Sequence, residues 1–158
     1  AIAIAKKMNI KHYALSFTNT HRDVLKFNKL LDGKVKIFKI ETKTAIKNLN
    51  KIMSVGKKFL IDRGDLSKAV SIEMLPMIQR KVLKIARVKK KAVYVAANFL
   101  ESMINNKYPT KGEANDIYNT LETGAAGIVL AAETAIGKYP KECVIFLKKI
   151  IKIFWKYK

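Results

Sequence analysis

Five short apolar runs, each followed by a helix-like segment, constrain the fold of this chain more than any other feature. The runs are His12–Phe17, Val35–Glu41, Lys58–Ile61, Ala92–Ala96 and Gly127–Ala131. They are rich in β-branched and aromatic residues and recur at intervals of roughly 25–35 residues, which is typical of buried strands separated by helices. This alternation predicts an α/β fold of parallel βα repeats with right-handed crossovers. Eight such units close a barrel and five do not, so either partners complete a barrel or the chain is an open segment.

The segments between the runs carry helix signals. Residues 1–10 are predicted to be the end of a helix. Further helices are predicted from Thr20 to about Leu31 and at Thr44–Met53, Ser71–Lys90, Asn98–Ile104 and Thr110–Glu122, with a last helix opening at Pro140. Thr110 and Glu113 fit a capping box, in which each side chain accepts from the other's backbone N–H. Pro76 lies early in its pattern and predicts a new helix start near Leu75.

Charged residues follow the apolar part of two neighbouring runs. Alternation places Lys39 and Glu41 on one strand face, and it places Arg63 and Asp65 on one face after Ile61. In parallel α/β folds, ligands bind at the carboxyl ends of the strands. An unpaired buried charge costs several kcal/mol, so Lys39 is expected to pair with Glu41 or Asp65. Arg63 is expected to brace neighbouring strands.

Composition limits the class of protein. With 158 residues, 49% of them apolar, residues 1–158 are predicted to form a single domain, and because the chain opens on Ala1 we expect it to belong to a longer protein. No apolar run reaches the length of a membrane span, and the lone Cys143 suits a reducing, cytoplasmic compartment.

The net charge of +20 is compatible with a polyanionic partner, but it also fits a surface that became lysine-rich by compositional drift. All but four of the 32 basic residues are lysines, whereas readers of bases and phosphates favour arginine. We therefore expect no specific nucleic-acid partner, only weak, salt-sensitive binding to polyanions.

Six short motifs, taken in their order and spacing, resemble a known family. They are ALSF at 14–17, KIE at 39–41, RGDL at 63–66, FLESM at 99–103, PT-x-x-E at 109–113 and ETA-x-GKYP at 133–140. Together they resemble the C-terminal part of the pyruvate kinase catalytic barrel, about strands four to eight, over residues 8–150. By that resemblance the fold is a partial (βα)8 TIM barrel of pyruvate kinase type, and the first three strands, the inserted lid domain and the regulatory domain are not included.

The resemblance implies a set of site residues. It implies that Lys39 stabilises the charge that moves with the phosphoryl group, and that Glu41 and Asp65 bind the Mg²⁺ (or Mn²⁺) that holds phosphoenolpyruvate or a related 2-oxo acid. It also implies that the backbone amides of Gly64 and Asp65 face the substrate carboxylate. Hard oxygen ligands suit Mg²⁺, and phosphoryl transfer depends mostly on positioning and charge neutralisation.

Several positions depart from the family pattern. Ala97 stands where the family has a threonine whose hydroxyl assists proton delivery, and Asn98 replaces a glutamine. Asp62 replaces a small residue, while Ser67 and Ala132 replace glycines. Loss of one proton-transfer group commonly costs about 10²–10⁴ in rate.

Two functions are therefore open. The first is a divergent pyruvate kinase-like domain that keeps its cation and phosphoenolpyruvate site but is impaired as a kinase by itself. The alternative is a non-catalytic scaffold or assembly domain, because the two open edges of a five-stranded sheet invite self-association or docking on a missing domain.

Overall fold

Strands and helices alternate throughout residues 2–158, the part of the chain that the computed structural model describes. The strands are β1 (His12–Leu15), β2 (Val35–Ile40), β3 (Lys58–Asp62), β4 (Ala92–Ala96) and β5 (Gly127–Val129). The α-helices are α1 (Ile2–Lys7), α2 (His21–Leu30), α3 (Lys43–Lys47), α4 (Leu49–Val55), α5 (Arg63–Ala69), α6 (Leu75–Val88), α7 (Lys111–Glu122), α8 (Ala132–Ala135) and α9 (Pro140–Tyr157). Short 3₁₀ helices cover Ile72–Met74 and Glu101–Ile104.

The five strands form one parallel sheet in the order β1-β2-β3-β4-β5. The predicted α/β architecture of parallel βα units is therefore confirmed. Strand β2 runs beside β3 with Lys39 opposite Leu60 and Ile40 opposite Ile61. The carboxyl ends of these two strands thus lie side by side, and the residues that follow them come together at one edge of the sheet.

One face of the sheet holds the core. Its strand residues are fully or almost fully buried beneath the helices: Phe38, Ile40, Phe59, Ile61, Val93 and Val95. The alternate residues, on the face that would line a closed barrel, are only half-buried and include Ile37, Leu60 and Tyr94. The period of two thus separates a packed face from an accessible one.

The longest helix, α9, closes the chain over Pro140–Tyr157 and packs Cys143, Ile150 and Phe154 into the core. The cysteine is therefore buried, and burial raises the pKa of its thiol above its ordinary value. Among the helices of residues 2–158, none combines the length and the hydropathy needed to cross a bilayer.

Two helix starts follow the predicted signals. Helix α6 begins at Leu75, with Pro76 in its first turn. At α7, Thr110 is the N-cap and forms the full capping box with Glu113, whose carboxylate also accepts hydrogen bonds from the backbone and hydroxyl of Ser102 at 2.7 and 2.5 Å. Burial acts to raise the pKa of Glu113, but these hydrogen bonds outweigh it and hold the pKa below its ordinary value.

Three predicted segments are corrected. The helix predicted at Thr44–Met53 is two helices, because Asn48 ends α3 and its side chain donates to the Asn19 carbonyl at 2.9 Å instead of capping α4. The helix predicted at Asn98–Ile104 is only the 3₁₀ turn at Glu101–Ile104, because Ala97 and Asn98 adopt left-handed backbone angles, with φ of 72° and 58°.

The third correction concerns the end of β3. The strand stops at Asp62, and Arg63 begins α5, so that Arg63 and Asp65 do not share a strand face. Asp62 is the N-cap of this helix, and its side chain accepts from the backbone N–H of Asp65. A short acidic side chain favours this position because it satisfies an N–H that has no partner within the helix.

Candidate active site

The ammonium group of Lys39 lies among three carboxylates at the carboxyl ends of β2 and β3. Its Nζ is 3.0 Å from Glu41 Oε1, 2.9 Å from Asp62 Oδ2 and 4.0 Å from Asp65 Oδ2. Burial acts to lower the pKa of Lys39, but the carboxylates of Asp62 and Glu41 outweigh it and raise that pKa above its ordinary value. Lys39 is therefore a paired cation, and these three acidic residues are called the carboxylate ring below.

Glu41 is the buried member of the ring, with only 1% of its surface exposed. Its Oε2 accepts a hydrogen bond from the backbone N–H of Phe17 at 3.3 Å. Its Oε1 lies 3.0 Å from the Lys39 ammonium, which neutralises its charge. The buried carboxylate is therefore paired with a cation, as a charge removed from water must be.

Asp65 is the most exposed ring member, at the first turn of α5. Its Oδ1 accepts from the Lys68 ammonium at 2.9 Å. The hydrogen bond from Lys68 and the charges of Lys68 and Lys39 hold the pKa of Asp65 below its ordinary value. Asp65 is therefore ionised near neutral pH, as a metal ligand must be.

Asp62 joins the ring although the sequence analysis did not place it there. One oxygen caps α5 and the other contacts Lys39. Two signals in the sequence were available: alternation along β3 puts Asp62 on the face of Leu60, and an aspartate directly before a helix is a preferred N-cap. Extending the alternation of the strand to Arg63 and Asp65 assigns the accessible face to the wrong residues, because β3 ends at Asp62.

Divalent ions suit this donor set. One carboxylate oxygen from each of Glu41, Asp62 and Asp65 lies within 4.8 Å of the others. Carboxylate oxygens are the hard ligands that Mg²⁺ and Mn²⁺ take. The residues present therefore fit the cation that the sequence led us to expect.

Gly64 lies at the rim of the ring. A side-chain carbon built on it would be 3.5 Å from Asp62 Oδ1 and 3.7 Å from the methyl group of Ala97. The backbone N–H of Asp65, expected to face a substrate carboxylate, instead donates to Asp62 at 3.3 Å. The substrate-binding role of Gly64 and Asp65 stays a prediction.

Arg63 points away from the ring and ties β3 to the segment after β4. Its guanidinium donates to the carbonyl of Ala97 at 2.6 and 2.9 Å, to that of Asn98 at 2.7 Å and to Asp116 at 2.7 Å. It also lies 3.9 Å from the centre of the Phe99 ring. These contacts are those of a bracing residue, as predicted.

The fold and the carboxylate ring define a class of protein: a segment of a parallel βα barrel with a charged site at the carboxyl ends of its strands. A family model described as "Pyruvate kinase, barrel domain" matches residues 1–144. The chain therefore belongs to the pyruvate kinase family, which confirms the resemblance found in the sequence.

Individual relatives agree with this assignment. The chain is 39% identical to the pyruvate kinase of Thermotoga maritima over 148 residues, covering 91% of this chain and 32% of that protein. It is 36% identical to the pyruvate kinase of Methanocaldococcus jannaschii, covering 96% of this chain and 35% of that protein. For the Corynebacterium glutamicum pyruvate kinase the identity is 33%, and the shares are 96% and 33%. The chain thus spans about a third of the length of these relatives.

Proposed function

We propose that this chain carries a divalent-cation site for phosphoenolpyruvate or a related 2-oxo acid, and that by itself it is impaired as a kinase. The observation that carries the proposal is the meeting of Lys39, Glu41 and Asp65 at the carboxyl ends of adjacent parallel strands. Membership of the pyruvate kinase family supports phosphoryl transfer as the class of reaction. We also propose that the whole protein is cytoplasmic and that it has no specific nucleic-acid partner.

Each residue has a defined task in this proposal. Glu41 and Asp65 hold the cation, which when bound supplies positive charge to the substrate's anionic oxygens. Lys39 places its ammonium beside the transferring phosphoryl group, where a fixed positive charge stabilises the charge that moves. The backbone amides of Gly64 and Asp65 orient the substrate carboxylate.

Impairment follows from Ala97 and from the extent of the chain. A methyl group can neither donate nor accept a proton, and loss of one such group costs about 10²–10⁴ in rate. We also infer that the nucleotide side of the site lies outside this third of the family's length.

The test is calorimetric titration of the folded chain with oxalate, an analogue of the pyruvate enolate, in the presence and absence of Mg²⁺. We expect binding that requires Mg²⁺ and that Glu41→Gln and Asp65→Asn remove. The matched control is Asp32→Asn, which neutralises an exposed carboxylate in the turn after α2, and which should bind as the wild type does. Absence of Mg²⁺-dependent binding in a folded wild-type sample would refute the proposal.

A second candidate function is self-association through the sheet. Strands β1 and β5 each have one neighbour, and Val129 of β5 remains 37% exposed. Unpaired edge groups favour pairing with another chain. Light scattering over a hundredfold range of concentration tests this, and a monomer throughout would exclude it.

A further inference from the structure

We propose that a groove between α3 and the start of α6 binds a single-chain amphiphilic anion of the fatty-acid class. The groove has a volume of about 470 Å³. Its residues belong to the helical layer on the packed side of the sheet, whereas the carboxylate ring lies at the carboxyl ends of β2 and β3. The groove takes no part in the proposed function, so the two proposals can fail separately.

The floor of the groove is apolar. Ile46 of α3, Val70 at the end of α5 and Ile78 of α6 line it, and all three pack on the core. Ile78 itself is only 2% exposed. Contact between apolar carbon and water is unfavourable, and each methylene group that leaves water strengthens binding by up to about fourfold. A hydrocarbon tail is therefore the chemistry that this floor would stabilise.

Two methionines form part of the groove wall. Met74, in the 3₁₀ helix before α6, and Met77, in α6, are 45% and 52% exposed although both are apolar. The methionine side chain is unbranched and polarisable, so it adapts to ligands of varied shape. Such a wall can close on a flexible acyl chain without a preformed tunnel.

Three lysines supply the charge of the groove. They are Lys43 and Lys47 on α3 and Lys81 on α6, and all three are exposed. Within residues 2–158 none of them forms a salt bridge, and none of the nine residues that line the groove is acidic. Their ammonium groups are therefore accessible to an anionic head group and oppose the entry of a cationic one.

Size and composition together select the class of ligand. Small-molecule sites commonly enclose about 300–1,000 Å³, and this groove lies within that range. A specific protein interface uses about 20–30 residues on each side, whereas nine residues line the groove. The apolar floor gives no advantage to a small polar anion such as inorganic phosphate. A ligand with both an acyl tail and a carboxylate head satisfies the floor and the lysines together.

The experiment titrates the full chain with decanoate, below its micelle-forming concentration, and follows ¹³C-labelled methionine methyl groups by NMR. Met74 and Met77 line the groove, Met8 is 69% exposed outside it, and Met53 and Met103 are buried. We expect saturable shifts in the signals of Met74 and Met77 and none in that of Met8. Neither a divalent ion nor oxalate is present, so the result does not depend on the proposed function.

Two comparisons test the contribution of the tail. Met77→Gln places a polar group of similar length in the groove wall and should weaken decanoate binding by about threefold or more. The matched control is Met8→Gln, which changes an exposed methionine outside the groove and should leave the affinity unchanged. Hexanoate, which is four methylene groups shorter, should bind at least about tenfold more weakly than decanoate.

Two further comparisons test the contribution of the head group. Lys47→Gln combined with Lys81→Gln should weaken decanoate binding by about threefold or more, because each exposed ion pair contributes modestly. Lys148→Gln combined with Lys152→Gln removes the same charge from exposed positions of α9 and should leave the affinity within about 1.5-fold. Decyltrimethylammonium, which has the same tail and a cationic head, should give no saturable shift in the groove.

The outcomes are distinct. Saturable shifts confined to Met74 and Met77, together with weaker binding in both groove variants, support the proposal. Shifts of equal size at Met8, equal affinities in the two double lysine variants, or saturation by decyltrimethylammonium would overturn it. Binding of the chain to anionic phospholipid vesicles that Met77→Gln weakens, without any response to decanoate, would also overturn it and indicate a membrane surface instead. Thermal unfolding of each variant establishes that it is folded.

Discussion

Replacing Arg63 by alanine should lower the free energy of unfolding by about 2–4 kcal/mol, and the contacts of the guanidinium set that range. The carbonyl of half-buried Ala97 loses two charged donors, and a hydrogen bond to a charged group contributes about 1.5–3 kcal/mol. The fully buried ring of Phe99 loses its covering cation, worth about 0.5–2 kcal/mol. The pair with Asp116, which is 38% exposed, adds little, and water can replace the donor to exposed Asn98.

Urea unfolding followed by circular dichroism measures this loss. Fluorescence is the poorer probe because the single tryptophan, Trp155, is 66% exposed near the end of α9. Arg63→Lys keeps the charge but not the planar fork of donors, so it should recover only part of the stability. Arg80→Ala removes an exposed arginine and should change the unfolding free energy by less than about 0.5 kcal/mol. A loss below about 1 kcal/mol in Arg63→Ala would refute the bracing role.

Three further changes test the backbone and the half-buried carboxylate of Glu113. Ala97→Gly should raise the free energy of unfolding, measured in urea, by about 0.5–1 kcal/mol. The left-handed φ of 72° costs alanine about 1–2 kcal/mol, and glycine removes this strain but loses more backbone entropy on folding. Gly137→Ala should lower the melting temperature, since its new carbon would lie 2.3 Å from the Glu133 carbonyl oxygen, whereas Gly112→Ala, with nothing nearer than 3.8 Å, should raise it; equal shifts would contradict this. Glu113→Gln should be less stable than the wild type near pH 7, and this difference in unfolding free energy should disappear as the pH falls below about 4.5. The reason is that the folded-state pKa of Glu113 lies below its ordinary value, so its contribution to stability is lost as the carboxylate protonates. A difference that does not change with pH would contradict this.

The order and type of the main elements could be predicted because each depends on a local pattern. Alternating apolar residues identified β2 and β3, and capping residues identified the start of α7. The breaks could not be predicted in the same way, since they depend on partners distant in sequence. Asn48 divides a helix because its side chain reaches the carbonyl of Asn19, 29 residues earlier in the chain.

Only part of the candidate site could be predicted, because motifs identify some of its residues while others depend on where a strand ends. Lys39, Glu41 and Asp65 follow from motifs, and the structure brings all three together. Asp62 was noticed only as a departure from the family pattern, because its position in the ring depends on where β3 ends. The alternation of a strand stops where α5 begins, so Arg63 does not continue the face of Ile61, whereas Asp62 lies on the face of Leu60 and reaches the ring.

The two faces of the sheet have separate tasks, and this separation gives the site variants their meaning. Phe38 and Phe59 pack under the helices, whereas Lys39 and Asp62 project from the accessible face at the carboxyl ends of the strands. Stability therefore comes mainly from burial on one side, at roughly 25 cal/mol per Å² of apolar surface, and ion binding from charge on the other. A conservative change such as Asp65→Asn removes charge from the ring without removing atoms from the core. A loss of ion binding in that variant, with its melting temperature kept, therefore reports on the ring itself.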